Sequence, residues 1–358
     1  MDTAHQKTKT TKTTTLSLKA AGFWNNFTFI HITNVNWTIA NETEWCSGSG
    51  TWNDPYLLEN MIINASGSPT GAGIFIENST GVFFIIRNIT IFETDDGIRL
   101  ENTNNGFIFN NTLSDNVASG IKLVNCVNNT ISSNELLNNG VDGIYLFQNC
   151  LENKIIGNTI RNDGTNYQDT GIHLEGSCND NEIVENDIYD NNFYGIEVEV
   201  SCERNLIYNN TIENRFTTLQ NYGISLANSC DQNNISSNLL RDLTTYVILL
   251  VSSAQSIVSD NQIIDCATGF YMINAFQSQI TSNTISGGSV AFLMSGCDEG
   301  QIYRNFINDT GSIAVRLIIN CDNNEFHDNI IKDNNIGVQV ENPSDVNNLF
   351  YKNSFISN

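Results

Sequence analysis

Short runs of alternating apolar and polar residues recur along most of the chain. Residues 171–188 read GIHLEGSCNDNEIVENDI, and residues 195–212 read GIEVEVSCERNLIYNNTI. Both runs open on Gly-Ile, continue with an alternation and a Cys, and end on Asn-x-Ile-x-x-Asn-x-Ile. A period of two residues with β-branched side chains predicts half-buried strands. Each unit therefore predicts three short strands separated by tight turns.

The last asparagine of this phrase marks the frame of a long repeat, with a spacing of 22 to 28 residues. It stands at Asn60, Asn88, Asn111, Asn134, Asn158, Asn186, Asn210, Asn238, Asn261, Asn283, Asn305, Asn329 and Asn353. Three strands per unit of this length predict an all-β fold, a single right-handed parallel β-helix of about 12–13 coils. Leucine-rich repeats have a similar length, but they would require Leu at most core positions and a helical segment in each unit.

The repeat covers residues 57–358 and leaves two N-terminal segments outside it. Residues 1–22 are rich in Thr and Lys and predict a flexible tail, whereas residues 23–56 predict an N-terminal cap and the entry to the first coil. The tail lacks the apolar stretch of a signal peptide, and no apolar run approaches the ~18 residues of a membrane helix. We therefore expect no transmembrane segment.

A second position of the repeat, eight residues before the anchor asparagine, is almost always small. It holds Thr80, Thr103, Cys126, Cys150, Cys178, Cys202, Cys230, Ser253, Ala275, Cys297, Cys321 and Asp345. This composition predicts a cramped inward turn where free cysteine serves as a small apolar residue. Pairing of some thiols and a soft-metal site are the alternatives. The anchor itself predicts a turn residue that tolerates left-handed backbone and whose amide bonds to the asparagines above and below.

The repeated phrase resembles the right-handed β-helix repeat of the pectin-lyase-like superfamily, and it is most similar to NosD-like and CASH-type (carbohydrate-binding and sugar-hydrolase) proteins. The segment GTWNDPYLLEN at residues 50–60 is similar to the entry of the first coil in archaeal surface proteins of this kind. The resemblance implies the fold. It leaves the activity open, because this fold carries lyases, hydrolases, epimerases, adhesins and structural rods.

The catalytic and metal signatures of these relatives are mostly missing. The triplet Asp95-Asp96-Gly97 is similar to the paired aspartates of polygalacturonase-like hydrolases, but no Gly-His-Gly or Arg-Ile-Lys follows. The NosD resemblance implies copper, yet the chain has no Met-rich or His-rich run. We therefore predict no metal site and no cofactor, with Ca²⁺ on the acidic face as the alternative.

Two consecutive coils carry a grid of titratable side chains on the outer face of the Gly-Ile-x-Leu strand. The weak catalytic candidates are His173, Glu175, Glu197 and Glu199. Paired carboxylates suit general acid–base chemistry on a glycan, and aromatic neighbours suit sugar rings. Stacked like charges raise one pKa or attract a cation, and a solvated polar face is the alternative. The full candidate ligand-binding set is Tyr145, Phe147, Tyr167, Asp169, His173, Glu175, Glu197, Glu199 and Tyr222.

Further along the chain the same face turns apolar and predicts a contact surface. Its residues are Ile248, Leu250, Tyr271, Ile273, Phe292, Met294 and Ile318. An exposed patch of this size exceeds what a monomer usually shows. We expect a partner protein, a second copy, or the rod itself through a register shift near Tyr246 to cover it. The rod end is a second candidate for self-association, because no polar cap is visible there.

The charge balance narrows the classes of partner. With 16 basic and 39 acidic residues the net charge is −23, so the basic footprint that nucleic acid requires is missing. The sequence favours a non-enzymatic extracellular or cell-surface scaffold that binds carbohydrate or a cell-surface protein. A polysaccharide lyase or glycoside hydrolase acting around His173 to Glu199, and a structural rod that self-associates, are the alternatives.

Overall fold

The structure, a computed structural model, describes residues 24–164, 167–216 and 220–358. The tail predicted for residues 1–22 lies outside the described residues. The chain forms a right-handed parallel β-helix in which three strands per coil stack into three rows. In the part of the chain that is described, no helix is long and apolar enough to cross a membrane.

The first row is one parallel sheet of 13 strands. Its strands are Ile30–Thr33, Ala72–Glu77, Asp96–Glu101, Ser119–Val124, Asp142–Phe147, Thr170–Glu175, Tyr194–Glu199, Tyr222–Ala227, Tyr246–Val251, Thr268–Ile273, Val290–Ser295, Ile313–Leu317 and Ile336–Val340. We call its outward side the first-row face.

The second and third rows form one sheet of 26 strands, which also contains Trp24–Phe27, Cys46–Ser47 and the two long strands Tyr56–Asn64 and Phe84–Phe92. The second row is Gly106–Phe109, Thr130–Ser132, Lys154–Ile156, Glu182–Val184, Leu206–Tyr208, Asn234–Ser236, Ile257–Ser259, Gln279–Thr281, Gln301–Tyr303, Glu325–His327 and Leu349–Tyr351. The third row is Thr112–Ser114, Glu135–Leu137, Thr159–Arg161, Asp187–Tyr189, Thr211–Glu213, Leu239–Arg241, Gln262–Ile264, Thr284–Ser286, Phe306–Asn308, Ile330–Lys332 and Ser354–Ile356.

A single apolar core runs along the inside of the rod, and the N-terminal segment covers its first end. Helix Trp37–Glu42 places Trp37 over the core, where the side chain is 2% exposed. The indole ring stacks on Tyr56 with 4.7 Å between ring centroids, and its N–H donates to Ser79 Oγ over 2.9 Å. This packing shields the first coil from water on the side where no neighbouring coil covers it.

In the coils from Gly73 to Gly223, a Gly-Ile pair places two consecutive residues toward the core. A Cβ atom on Gly171 would lie 2.6 Å from the carbonyl oxygen of Gly195 and 2.6 Å from Ile188 Cγ2, so only hydrogen fits there. Ile172 is also fully buried. The chain bends at this pair, and the residue before the glycine therefore lies on the first-row face together with the residue after the isoleucine.

Buried asparagines hold the turns together, as the anchor pattern predicts. Asn158 Nδ2 donates to Asn186 Oδ1 and to the carbonyl of Ile131, each over 3.0 Å, and Asn158 Oδ1 accepts from the backbone N–H of Asn134 over 2.9 Å. The same pattern repeats from Asn111 to Asn353. Two further amide ladders run beside it, one through Asn129, Asn153, Asn181, Asn205 and Asn233, the other through Asn116, Asn139, Gln168, Asn191 and Gln220.

Two details of the anchor prediction are wrong. From Asn111 onward the left-handed backbone lies at the residue before the anchor, such as Glu185 with φ of 57°, and not at the anchor itself. The first two anchors, Asn60 and Asn88, do have positive φ, but they lie within the long strands and outside the buried ladder, Asn60 half-buried and Asn88 exposed. A buried amide needs an ordinary backbone to point inward, so the adjacent residue makes the turn.

All nine cysteines are free and buried. Seven of them occupy the predicted slot, and Cys46 and Cys266 lie outside it. Within the slot the N–H of Cys178 donates to Cys202 Sγ over 3.2 Å, and the Cys178 thiol donates to the carbonyl of Glu175 over 3.2 Å. Hydrogen bonding with the neighbouring thiol and burial raise the pKa of Cys202 to about 12. The slot is therefore filled by protonated thiols that pack as small apolar groups.

The predicted apolar contact surface is wrong for four of its seven residues. Ile248, Leu250, Phe292 and Met294 are fully buried in the core. Ile248 pairs with Ile224 and Phe292 with Phe270, and the pairing continues in register through Tyr246–Val251 without a shift. Both sides of these strands are apolar, so the period of two that reveals the inward side is lost. The outward side chains are Leu249, Val251 and Leu293, next to Tyr271, Ile273 and Ile318.

Candidate functional site

The strand register brings the predicted grid together on the first-row face. His173 pairs with Glu197 and Glu175 with Glu199 on adjacent coils. Tyr145 and Phe147 occupy the same two columns on the preceding coil. The spacing of the repeat alone predicts this arrangement, because equal positions of neighbouring coils stack.

An aspartate–histidine pair lies at the centre of the cluster. Asp142 Oδ1 lies 3.5 Å from His173 Nδ1, and Glu199 Oε1 lies 3.4 Å from Nε2 on the other side of the ring. Burial alone would lower the pKa of His173, but the carboxylate of Asp142 and the charges of Glu197 and Glu199 outweigh it, so the pKa is raised. Burial also raises the pKa of Asp142, and the pair therefore retains its proton readily.

Glu197 is a second carboxylic acid of the cluster whose surroundings favour the neutral form. Burial raises the pKa of Glu197 to about 7, with a further contribution from Glu199 and against the opposing charge of His173. A carboxyl group with this pKa exchanges protons near neutral pH, which suits a general acid or a hydrogen-bond donor.

Tyr145 closes one side of the cluster. Its hydroxyl group donates to Glu175 Oε2, and its ring stacks on the His173 imidazole with 4.8 Å between centroids. The Lys122 ammonium lies 5.1 Å from the centre of the Tyr145 ring. Burial raises the pKa of Tyr145, and the Glu175 carboxylate raises it further, so the hydroxyl group stays a donor.

A row of tyrosines continues the site along the rod. Tyr194 and Tyr222 stack with 4.7 Å between ring centroids, Tyr246 follows at 6.0 Å, and Tyr271 lies 4.6 Å beyond Tyr246. All four side chains are half-buried. The row begins beside the carboxylates. Burial and the nearby charge of Glu197 raise the pKa of Tyr194 to about 12.

The insertion before the strand Thr170–Glu175 contains two candidate residues, Tyr167 and Asp169. Only Asp169 lies next to the cluster. Asp169 Oδ1 accepts from Asn192 Nδ2 over 2.9 Å, and its charge contributes to the raised pKa of Asp142. Tyr167 is 70% exposed and has no ring contact with the cluster in the described part of the chain. The geometry therefore links Asp169 to the site more closely than Tyr167.

Sequence reasoning missed Asp142, Tyr194 and Tyr246. A strict alternation through the Gly-Ile pair would turn the residue before the glycine toward the core, whereas the bend at the pair turns it outward. The available signal was chemical: Asp142, Tyr194 and Tyr222 each stand directly before Gly-Ile, a position too polar or too large for the rod interior.

Three side chains of the cluster can hold a cation. One ligand atom each from His173, Glu175 and Glu199 lies within 4.8 Å of the others. His173 Nε2 is buried and has no hydrogen-bond partner. Glu199 Oε1 lies 3.4 Å from this nitrogen without a hydrogen bond between them, and a buried imidazole nitrogen that makes no hydrogen bond is costly unless a ligand completes it. The predicted absence of a metal site is therefore open to a direct test.

We expect Glu197→Gln to stabilise the metal-free protein at pH 8 and not at pH 4. The ionised form of Glu197 is disfavoured in the folded state, so its contribution to stability is full below pH 4.5 and is lost as the pH rises through about 7. The shift corresponds to at most about 3 kcal/mol, which solvent screening reduces to about 1–2 kcal/mol. Urea unfolding in EDTA at both pH values measures the difference.

The matched control for this prediction is Glu44→Gln, an exposed glutamate outside the first-row face. Its effect should be equally small at both pH values. Equal effects of Glu197→Gln at pH 4 and pH 8 would contradict the assigned surroundings of Glu197.

Comparison with protein families identifies one match that covers most of the chain. The family model described as "Periplasmic copper-binding protein (NosD)" matches residues 30–221 and 221–358. No curated protein matches the chain as a close relative.

Solved structures share the fold at low sequence identity. The periplasmic alginate epimerase AlgG is 14% identical, with a TM-score of 0.68 over 89% of this chain and 87% of its own. The Dettilon tailspike protein (gp208) is 13% identical, with a TM-score of 0.57 over 82% and 68% of the two chains. The GH136 lacto-N-biosidase from Eubacterium ramulus is 10% identical, with a TM-score of 0.50 over 93% and 68%. At this identity the likeness establishes the fold alone.

Proposed function

The chain belongs to the NosD family, described as periplasmic copper-binding proteins, and we propose that it acts outside the cytoplasm as a scaffold whose first-row face binds a neutral glycan chain. The row of tyrosines Tyr194, Tyr222 and Tyr246, which begins beside the carboxyl group of Glu197, carries the proposal. Half-buried rings offer apolar surface to sugar C–H groups, while carboxylates and phenol groups bond sugar hydroxyls. The row crosses three coils, which suits an extended chain.

The charge of the face limits the class of glycan. Asp142, Glu175, Glu197 and Glu199 surround a single histidine, in a chain with a net charge of −23. A polyuronate would meet like charge at a partly desolvated site, where electrostatic repulsion is strong. We therefore propose a neutral glycan, in contrast to the alginate named for the epimerase of the same fold.

A glycan array with the purified chain tests this proposal. It should retain neutral β-glucans, mannans, galactans or chitin oligosaccharides and should not retain alginate, pectate or hyaluronan. Retention of the anionic polymers alone would overturn the proposal. Assays of the bound glycan for new reducing ends address the enzymatic alternative: turnover that disappears in Glu197→Gln would indicate a hydrolase, because a carboxyl group with a pKa of about 7 suits a general acid.

The family description favours a second candidate function, the binding of a copper ion. Cu(II) accepts imidazole nitrogen and carboxylate oxygen, so His173, Glu175 and Glu199 fit it, and the unpartnered Nε2 of His173 is the observation that supports the fit. Ca²⁺ takes oxygen ligands and is a poorer match for an imidazole donor. The stacked thiols do not fit, because burial keeps them protonated and closed to solvent. The ion would neutralise carboxylate charge at the centre of the face.

We expect His173→Gln to lower the affinity for Cu²⁺ by about 100-fold, as one of three ligands is lost. The control is His327→Gln, a histidine on the second row beside Asp328. Titration calorimetry at a fixed pH measures the affinities. Equal Cu²⁺ affinity of the wild type and His173→Gln would place any copper site elsewhere.

A further inference from the structure

A separate cavity of about 470 Å³ opens near the N-terminal end of the rod and shares no residue with the cluster on the first-row face. It lies where the entry loop before Tyr56–Asn64 meets the turns that lead into the second row. Its walls include Trp52, Phe83, Asn105, Phe107, Asn128 and Thr130. No side chain that lines the cavity is charged, so the cavity suits an uncharged ligand.

Aromatic rings form one part of the walls. Trp52 is 76% exposed, and its ring meets Phe83 edge to face at 80° with 5.4 Å between centroids. An edge-to-face contact leaves most of the ring faces uncovered. Phe107 adds a third ring and is itself stacked on Phe109. Open aromatic faces around one cavity form a surface on which a flat apolar group can lie.

Amide and hydroxyl groups stand at the same cavity. Asn128 Nδ2 donates to Asn105 Oδ1 over 2.9 Å. This bond fixes both amides and leaves amide N–H groups of Asn105 and the oxygen of Asn128 for a ligand. The Thr130 hydroxyl group also lines the cavity. Apolar faces and fixed amides around one space match the alternating C–H and O–H surface of a sugar ring.

The exposed Trp52 is held in place by a tight turn. The backbone N–H groups of Ser49 and Thr51 donate to the carbonyl of Asp54 over 3.0 and 3.2 Å. Gly50 has φ of 73°, and a Cβ atom there would lie 2.5 Å from the Tyr56 ring. A side chain on an ordered turn loses less freedom when a ligand binds.

We propose that this cavity is a second saccharide site that takes one or two rings of a neutral sugar. An apolar peptide side chain would fill less of the cavity and would not bond the N–H groups of Asn105 or the oxygen of Asn128 that remain available. The proposal does not depend on glycan binding at the first-row face, and variants separate the two sites.

Cellobiose and chitobiose serve as probes, with N-acetyl-phenylalanine amide as the apolar competitor. Tryptophan fluorescence and ligand-observed NMR on the full chain report binding. We expect at least one disaccharide to bind, Trp52→Ala to weaken it by at least about 10-fold, and Trp52→Phe to recover part of the loss. Phe276→Ala, which changes an exposed phenylalanine outside the cavity, should leave disaccharide binding unchanged.

Three results would overturn the proposal. The first is no binding of either disaccharide, and the second is equal affinity in the wild type and Trp52→Ala. The third is binding of the phenylalanine amide without binding of a disaccharide, which would identify the cavity as a peptide site. Loss of binding in the double variant Tyr194→Ala with Tyr222→Ala, with retention in Trp52→Ala, would place the sugar at the first-row face alone.

Discussion

Replacing Asn158 by alanine will destabilise the rod by about 4 kcal/mol. The change removes the donors to Asn186 Oδ1 and to the carbonyl of Ile131, and the acceptor for the N–H and Nδ2 of Asn134. These groups are buried, and each one left without a partner costs about 1–3 kcal/mol. Because coils contact only their neighbours, the loss will concentrate in the coils on either side. Urea unfolding gives the total, and amide hydrogen exchange gives its location.

Asn64→Ala is the control for this experiment, since Asn64 is an exposed asparagine whose Nδ2 donates to Glu93 over 2.8 Å. An exposed amide is replaced by water, so we expect a change of less than about 1 kcal/mol. Similar losses for Asn158→Ala and Asn64→Ala would mean that the ladder is not the main polar support of the turns.

The double change Tyr194→Ala with Tyr222→Ala will lower the affinity for the neutral glycan by about 100-fold. The two rings form the start of the aromatic row, and their stacking at 4.7 Å presents one continuous surface. Loss of two aromatic contacts at about 1–1.5 kcal/mol each gives this factor. Titration calorimetry with a glycan retained on the array measures the effect.

Tyr208→Ala controls for the loss of a tyrosine as such, because Tyr208 is 40% exposed on the second row. Its affinity should match that of the wild type. Thermal unfolding of each variant confirms that the rod is intact. Unchanged glycan affinity in the double variant would mean that the tyrosine row does not bind the glycan.

The fold could be predicted from the sequence because the same pattern of strands and turns recurs in each repeat unit. Where the pattern of one coil is ambiguous, the patterns of the neighbouring coils indicate which of its residues point inward. The repeat frame set by Asn186 and Asn210 therefore assigns the strands of the whole rod. The grid of His173, Glu175, Glu197 and Glu199 followed from the same frame, since equal positions in adjacent coils must stack.

The remaining parts of the site depend on features that a simple alternation of inward and outward residues does not reveal. Asp142 and Tyr194 reach the first-row face only because the chain bends at the Gly-Ile pair. Ile248 was misplaced because its strand is apolar on both sides. The cavity at Trp52 joins an entry loop to turns more than 50 residues away at Asn105, a distance over which periodicity gives no signal.

Photo-crosslinking with a diazirine-labelled neutral glycan from the array, mapped by mass spectrometry, locates the bound glycan on the rod. We expect adducts on the first-row strands from Asp142–Phe147 to Tyr246–Val251, reduced by unlabelled glycan and by the double change Tyr194→Ala with Tyr222→Ala. Adducts at the Trp52 cavity in addition would be compatible with this result. Adducts that unlabelled glycan reduces but that are confined to other surfaces, with none on these first-row strands, would contradict glycan binding at the first-row face.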